Sequence, residues 1–437
     1  MDSQRYRAED LVQFGKNVLI KIGFPEKQAY AAAKILVEAD LRGDHAHGIA
    51  GGSSLDDIIA KVYDDEGKPE FTRTQIADFT ADKQKYPTIL SFDAHGTLGH
   101  YVASEIIPQL VQTANKFGYA KAHIRNSTHF GNCGIYSEMI ASHDLAAKVT
   151  CTSPAYTKPF IELQDMENVQ SPANRARYDG VRKRFGTNPI AWTIPYQNGI
   201  VTIDMAATQR AISPALEVAK YNSKVLGLFQ DADGMFIIPI GNQQRKLAEV
   251  HLSVARSETQ QEALQKLGSA KPFKLRAVEK GLLKGPQGEN IHFPLAFDEV
   301  FKTYFWVAPL GGTYFGYKGF GLNMLIELDN VIGGGTPELI RILDSKGKRT
   351  TLERVSQTLE AYAIDILVPL EEAKMRLKEA VDTTIRCGNR LMYLPGQKEQ
   401  ETKKEYLVHG IPMTAERIAR LRSIAADKRV GIVFDLE

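Results

Sequence analysis

The sequence predicts an α/β protein, and two observations carry that expectation. Between residues 118 and 241, short apolar runs rich in β-formers recur between glycine or proline punctuation: AKAHI, AKVTCT, AWTIP, GIVTID and FIIPI. Helical patterns precede these runs and separate some of them, an alternation that argues α/β rather than all-α.

The first forty residues read as two helices. In RAEDLVQFGKNVLIKIG, Leu11, Phe14, Val18 and Leu19 fall at helical spacing and Gly23 ends the run. Pro25 then opens PEKQAYAAAKILVEADLRG, where a proline in the first turn and a glycine after the last mark both ends. A polar stretch over 64–85 leads to the strand-like TILSFDA, the glycine turn HGTLGH and a helix over 101–117. A short helix is expected at 135–142, between the first two β-rich runs. Residues 242–300 turn polar and then Lys/Gly-rich, and read as an insertion or lobe. The amphipathic segments 370–387 and 413–428 predict two late helices.

Composition bounds the function. With 43% hydrophobic and 24% charged residues, the chain has the balance of a soluble globular protein. Its 437 residues are enough for roughly two or three folding units. Lys plus Arg (54) against Asp plus Glu (52) leaves +2, so no global field gathers nucleic acid or an anionic membrane. Neither is expected as a partner. Cys133, Cys151 and Cys387 are too few, and odd in number, for a disulfide framework, which suits a reducing compartment. The N-terminus has no apolar signal region and windows such as GFGLNMLIEL are too short to span a bilayer, so a cytoplasmic location is expected.

The usual nucleotide fingerprints, G-x-G-x-x-G and G-x-x-x-x-G-K-[ST], are absent, as are H-E-x-x-H and C-x-x-C. Three other segments could carry chemistry. In ADLRGDHAHGIAGG (39–52), four glycines surround His45 and His47, so the loop could bring histidines close to a small molecule. A capped helix end with surface histidines fits equally well. In NSTHFGNCGIYSE (126–138), His129 precedes Gly131 and Gly134 at a helix start, whose free amides suit a phosphate or carboxylate. A solvated loop histidine is the plainer reading. In GGTYFGYKGFGLNMLIEL (311–328), five glycines and Lys318 precede an apolar helix, a loop suited to pyrophosphate or merely a glycine-rich helix entry. Two further segments, FGTNPIAW and IDMAAT, read as turn chemistry at strand ends.

Taken together, ADLRGDHAHGI, NSTHFGNCGIYS, FGTNPIAW, DMAAT and GYKGFGLNMLIEL, with MYLPG near the end, resemble the type 2 malate/L-lactate dehydrogenase family. That group includes malate, L-sulfolactate and ureidoglycolate dehydrogenases and cyclic imino-acid reductases. The resemblance implies a non-Rossmann, mixed-sheet, three-layer NAD(P)-binding domain inserted into a second α/β domain built from both chain ends. The terminal domain would hold 1–85 and 336–437 and the cofactor domain 86–335, with insertions near 165–182 and 242–300. It implies a homodimer that moves a hydride between NAD or NADP and a small 2-oxo/2-hydroxy acid or cyclic imine. His129 would be the catalytic acid and base, and His47 would line the substrate site. Ser153, Asp204, Met205, Ala206, Gly316, Tyr317, Lys318 and Gly319 match cofactor-holding positions. No metal is implied, and a site built on His45, His47 and His129 lacks a recognisable ligand spacing.

The departures from the family pattern are local. Ala46 stands where the family has serine, Leu55 where it has tyrosine, and Gly51 where an arginine usually holds the substrate carboxylate. Glycine cannot form that bidentate fork. Arg42, His45 or the basic segment 174–184 could supply another cation, so that the substrate differs. The alternative is a catalytically silent binding or scaffold protein that keeps the fold.

Overall fold

The structure is a computed structural model. It describes residues 4–52, 54–62, 74–154, 157, 184–208, 229–230, 235–239, 249–254, 276–279, 282–284, 290–292, 305–307, 309–334, 355–389 and 391–435. The expected insertion at 165–182, most of the basic segment 174–184 and most of 242–300 lie outside the described residues.

The elements begin with strand β1 (Gln4–Tyr6), helices α1 (Ala8–Lys21), α2 (Glu26–Leu41) and α3 (Leu55–Val62), then β2 (Thr80–Ala81), β3 (Ile89–Asp93) and α4 (Gly99–Phe117). Next come β4 (Tyr119–Ser127), α5 (Cys133–Ala141), β5 (Leu145–Cys151), β6 (Ile190–Tyr196) and β7 (Gly199–Met205). Seven short strands follow: β8 (Phe229–Gln230), β9 (Met235–Pro239), β10 (Glu249–Val254), β11 (Arg276–Glu279), β12 (Leu282–Lys284), β13 (Asn290–His292) and β14 (Phe305–Val307). The chain continues through α6 (Gly312–Ile332), β15 (Val355–Ala363), α7 (Leu370–Cys387), α8 (Gln397–His409), β16 (Ile411–Met413) and α9 (Ala415–Ala426).

The chain divides into two compact units. One holds residues 1–152, 189–205 and 328–437; the other holds 153–188 and 206–327. The division expected from sequence put 86–335 together, whereas strands β3 to β7 share a sheet, and a unit, with both chain ends. Hydrogen bonding across β15 is the reason: a segment from residue 355 onward pairs on either side with β4 and β5.

In the first unit, seven strands form one sheet in the order β2-β3-β4-β15-β5-β6-β7. Only β3 and β4 run parallel; every other neighbouring pair is antiparallel. This mixed sheet is unlike the six-stranded parallel 3-2-1-4-5-6 arrangement of a Rossmann domain. α4 packs on β4 and β15, α5 packs on β5 and β6, and α1 packs on α2. The apolar stripe read in α1 is the buried one: Leu11, Phe14, Val18 and Leu19 all lie in the core.

The strand β15 was not foreseen, because VSQTLEAYA carries no apolar run. Its Ser356, Gln357 and Thr358 are nevertheless buried, and each is paired. The Ser356 amide donates to Thr152 Oγ1 (2.9 Å), Gln357 Nε2 donates to the Thr128 carbonyl (2.8 Å), and Thr358 Oγ1 meets His123 Nδ1 (3.2 Å). These bonds offset part of the cost of burying polar residues at the sheet centre, although Gln357 Oε1 has no partner among the described residues.

In the second unit, β14-β10-β9-β8 and β11-β12-β13 form two antiparallel sheets. The three cysteines are free thiols. Among the described residues, no helix is long and apolar enough to cross a membrane.

Candidate active site

The two histidine loops come together in the first unit. Asp44 and His47 follow α2; His129 and Asn132 lie between β4 and α5. The His47 and His129 rings stack with centroids 5.6 Å apart and planes 7° from parallel. His47 Nδ1 bonds Asp44 Oδ2 at 2.8 Å, and the same oxygen accepts from Asn132 Nδ2 at 2.9 Å. Burial opposes the charge on Asp44, but His47 and the Asn132 amide outweigh it and hold the carboxyl down at about 2. His47 therefore uses Nδ1 as the donor to Asp44.

His129 is held in the opposite sense. Gly131, at φ +85°, turns its amide back to donate to His129 Nδ1 at 3.3 Å. A nitrogen that accepts carries no proton, so in the neutral ring the proton sits on Nε2. Burial, with His47 and His100 beside it, pulls His129 well below the usual histidine range. His100, in the first turn of α4, lies edge-to-face against it with centroids 6.1 Å apart.

The helix start that looked open to a ligand anion takes one from the protein itself. The Gly134 amide donates to Asp204 Oδ2 at 2.7 Å, so the end of β7 caps α5. Withdrawal of this carboxyl from water, only partly offset by that bond, pushes it up to about 7. Asp44, Asn132, Gly134 and Asp204 line one wall of a cavity of about 600 Å³, with Arg42 and Glu399 also on its wall. Asn132 Oδ1 is buried there without a partner among the described residues.

Of the three expected replacement cations, the basic segment 174–184 lies mostly outside the described residues, and neither Arg42 nor His45 is uncommitted. Arg42 pairs with Glu38 and Glu138, both at 2.9 Å. His45 bonds the fully buried Asp40 at 2.9 Å and meets Arg417 of α9 at 3.0 Å. Arg417 also pairs with Asp40, and Arg420 donates to the Ala50 carbonyl at 2.8 Å, so α9 grips the His47 loop from behind.

The loop itself explains the missing arginine. The Gly51 amide bonds the Gly48 carbonyl (2.8 Å) and the Gly52 amide bonds the Ala46 carbonyl (3.0 Å). A Cβ added at Gly51 would collide with the Ala46 oxygen and stand 2.6 Å from the His45 oxygen. Only glycine fits this turn. Leu55, where tyrosine was the family expectation, opens α3 and is fully buried.

The remaining expected residues fall elsewhere. Met205 ends β7 in the first unit, whereas Ser153, Ala206 and Gly316–Gly319 belong to the second. Ser153 Oγ accepts from the Thr187 amide at 2.8 Å, joining two of the sequence motifs. The supposed glycine loop is a correction: Gly316, Tyr317, Lys318 and Gly319 lie inside α6, which begins at Gly312. These residues lie within a helix and are not an open cradle, and the Gly319 amide donates to the Leu310 carbonyl at 3.1 Å. Gly319 packs on Leu310, where an added Cβ would come within 2.7 Å of Cα. Lys318 lies 5.9 Å from the ring of its neighbour Tyr317.

Sequence reasoning missed Asp44, Asn132 and His100. The first two were legible only as neighbours of the motif histidines; His100 was hidden in a turn read for its glycines.

The chain is similar to known proteins along most of its length. The model of the malate/L-lactate dehydrogenase family matches residues 6–236. Malate dehydrogenase from Pyrococcus abyssi is 24% identical over 440 residues, covering 98% of this chain and 95% of that one. Ureidoglycolate dehydrogenase (NAD(+)) from Escherichia coli O157:H7 is 25% identical over 218 residues, 50% of this chain and 54% of its own. The crystal structure of malate dehydrogenase from Entamoeba histolytica superposes with a TM-score of 0.66 at 19% identity, covering 100% of both chains, and so shares the fold. With more than half of its residues matched by the family model, this chain belongs to the malate/L-lactate dehydrogenase family.

Proposed function

We propose that this protein is an NAD(P)-dependent oxidoreductase that moves a hydride between the nicotinamide and a small 2-oxo/2-hydroxy acid. A cyclic imine is the other substrate class that the family admits. The observation that carries the reading is the stacked His47–His129 pair, tied through the Asp44–Asn132 hydrogen bonds to the wall of a cavity large enough for a ligand.

The cavity fits the nicotinamide end of the cofactor. The buried, unpartnered Asn132 Oδ1 wants a donor such as a carboxamide, and the Asp204 and Glu399 carboxyls suit ribose hydroxyls. Such an acidic wall would repel phosphate. The bound nicotinamide supplies or accepts the hydride. His129 moves the proton at Nε2, giving it to the nascent alkoxide in reduction and taking it back in oxidation. To accept a proton at Nε2 the neutral ring must carry its own proton on Nδ1, so the long 3.3 Å Gly131 bond opens in the base role; the carboxylate of a bound substrate then favours the doubly protonated ring for the acid role. Asp44 holds the His47 ring against it.

A homodimer belongs to this reading: α8 buries none of its residues and α7 buries only Ala373. The silent-protein reading draws on one observation, the Gly51 turn that excludes the usual arginine.

The test is NADH and NADPH fluorescence on mixing, followed by oxidation with a panel of 2-oxo acids and cyclic imines. Binding with turnover is expected, and His129→Ala should lower turnover by ~10²–10⁴-fold with cofactor binding nearly intact. Absence of both binding and turnover in the native protein establishes the silent reading.

A further inference from the structure

His100 is the polar group that the chemistry above leaves unused. It is 2% exposed, and neither ring nitrogen has a hydrogen-bond partner among the described residues. Each unmet polar group of this kind costs on the order of 1–3 kcal/mol, and natural proteins keep few of them without a use. The ring stands edge-on to His129 and close behind Gly131, whose added Cβ would lie 3.6 Å from His100 Cδ2. It therefore packs against the histidine assigned to the reacting carbonyl. Burial, with His47 and Lys61 contributing, takes its pKa down to about 3, so the ring is neutral and offers one donor and one acceptor.

Among the described residues, the charges around it carry no surplus cation. Lys61 of α3, whose field reaches both His100 and His129, is paired with Asp57 at 2.8 Å, and Asp57 opposes its effect on both rings. Arg42 is shared between two glutamates, and the turn at Gly51 cannot hold an arginine. A second carboxylate or sulfonate on the substrate would be desolvated here without compensation. A neutral amide or hydroxyl can pair with one of the His100 nitrogens, as donor or acceptor, with no charge to bury.

We propose that His100 is the substrate-selecting residue of this site, hydrogen-bonding a neutral amide or hydroxyl that a 2-oxo acid carries beyond the carbonyl served by His129. The proposal rests on the functional reading above and narrows its substrate class.

The experiment is calorimetric titration of the full chain, loaded with NAD⁺ or NADP⁺ so that no 2-oxo acid can turn over. Three probes of similar length differ only in the tail: 2-oxosuccinamate (amide), oxaloacetate (carboxylate) and 2-oxopentanoate (apolar). The native protein should bind the amide at least about 10-fold tighter than either other probe, the worth of one well-made hydrogen bond. His100→Leu should erase that preference, and His100→Phe serves the same purpose if leucine leaves too large a hole. His100→Gln keeps a donor and an acceptor and should retain it. Equal affinity for the three probes, or a loss in the apolar variants that is the same for all three, overturns the proposal. An amide preference that depends on His100, with no hydride transfer once reduced cofactor is supplied, upholds this binding role and overturns the dehydrogenase reading instead.

Discussion

Residues 43–52 and 311–321 each set glycines around a basic side chain, His47 in one and Lys318 in the other. In the first, the glycines make a turn that folds back on its own carbonyls and presents His47 to His129. In the second all but Gly311 lie within one continuous helix, where glycine costs about 1 kcal/mol against alanine, and Gly319 admits the backbone of Leu310. Glycine density thus reports that something approaches the backbone closely. It does not say whether that is a ligand or the chain itself.

The largest expected effect tests the tight turn. Gly51→Arg, which restores the family residue in name, should lower stability by roughly 3 kcal/mol and should not improve turnover of oxaloacetate, because the new Cβ meets the Ala46 oxygen. A variant with native thermal stability and better oxaloacetate turnover would show that the turn yields.

A pH series sharpens the contrast from the histidine side. His129 and His100 both have folded-state pKa values below the ordinary one, so between about pH 4.5 and 6.5 the unfolded chain binds protons that the native chain refuses. Stability should rise with pH across this window, by up to about 1.4 kcal/mol per unit for each histidine. Asp204 works in the opposite direction, since its raised pKa makes the native chain hold a proton until about pH 7. His100→Gln should remove one histidine's share of the slope in urea titrations. An unchanged slope would mean that the ring is protonated in the native state.

On the helical side, Gly319→Ala should cost roughly 1–3 kcal/mol, because its Cβ meets fixed backbone. Gly321→Ala, with nothing within 4 Å, should instead stabilise by up to about 1 kcal/mol. Equal effects at the two positions, read by thermal melting, would dissolve the distinction between a packing glycine and an idle one.

The sequence alone determined the α/β class, the helices at both chain ends, five strands of the first unit's sheet and the two histidine motifs. These are local properties: apolar periodicity, turn residues and short contiguous patterns survive in one dimension. Tertiary structure decided what depends on partners far along the chain. β15 reached the centre of the sheet on polar residues, since Thr128, Thr152 and His123 were there to bond them. Asp204 filled the anion site at the start of α5 from seventy residues away. Arg42 and His45 became structural because Glu138 and Arg417 claimed them. His100 gained its meaning only when folding buried it beside His129 with both nitrogens unmet. Desolvation is the common physical reason: burial sets the worth of each polar group, and burial is a property of the packed chain.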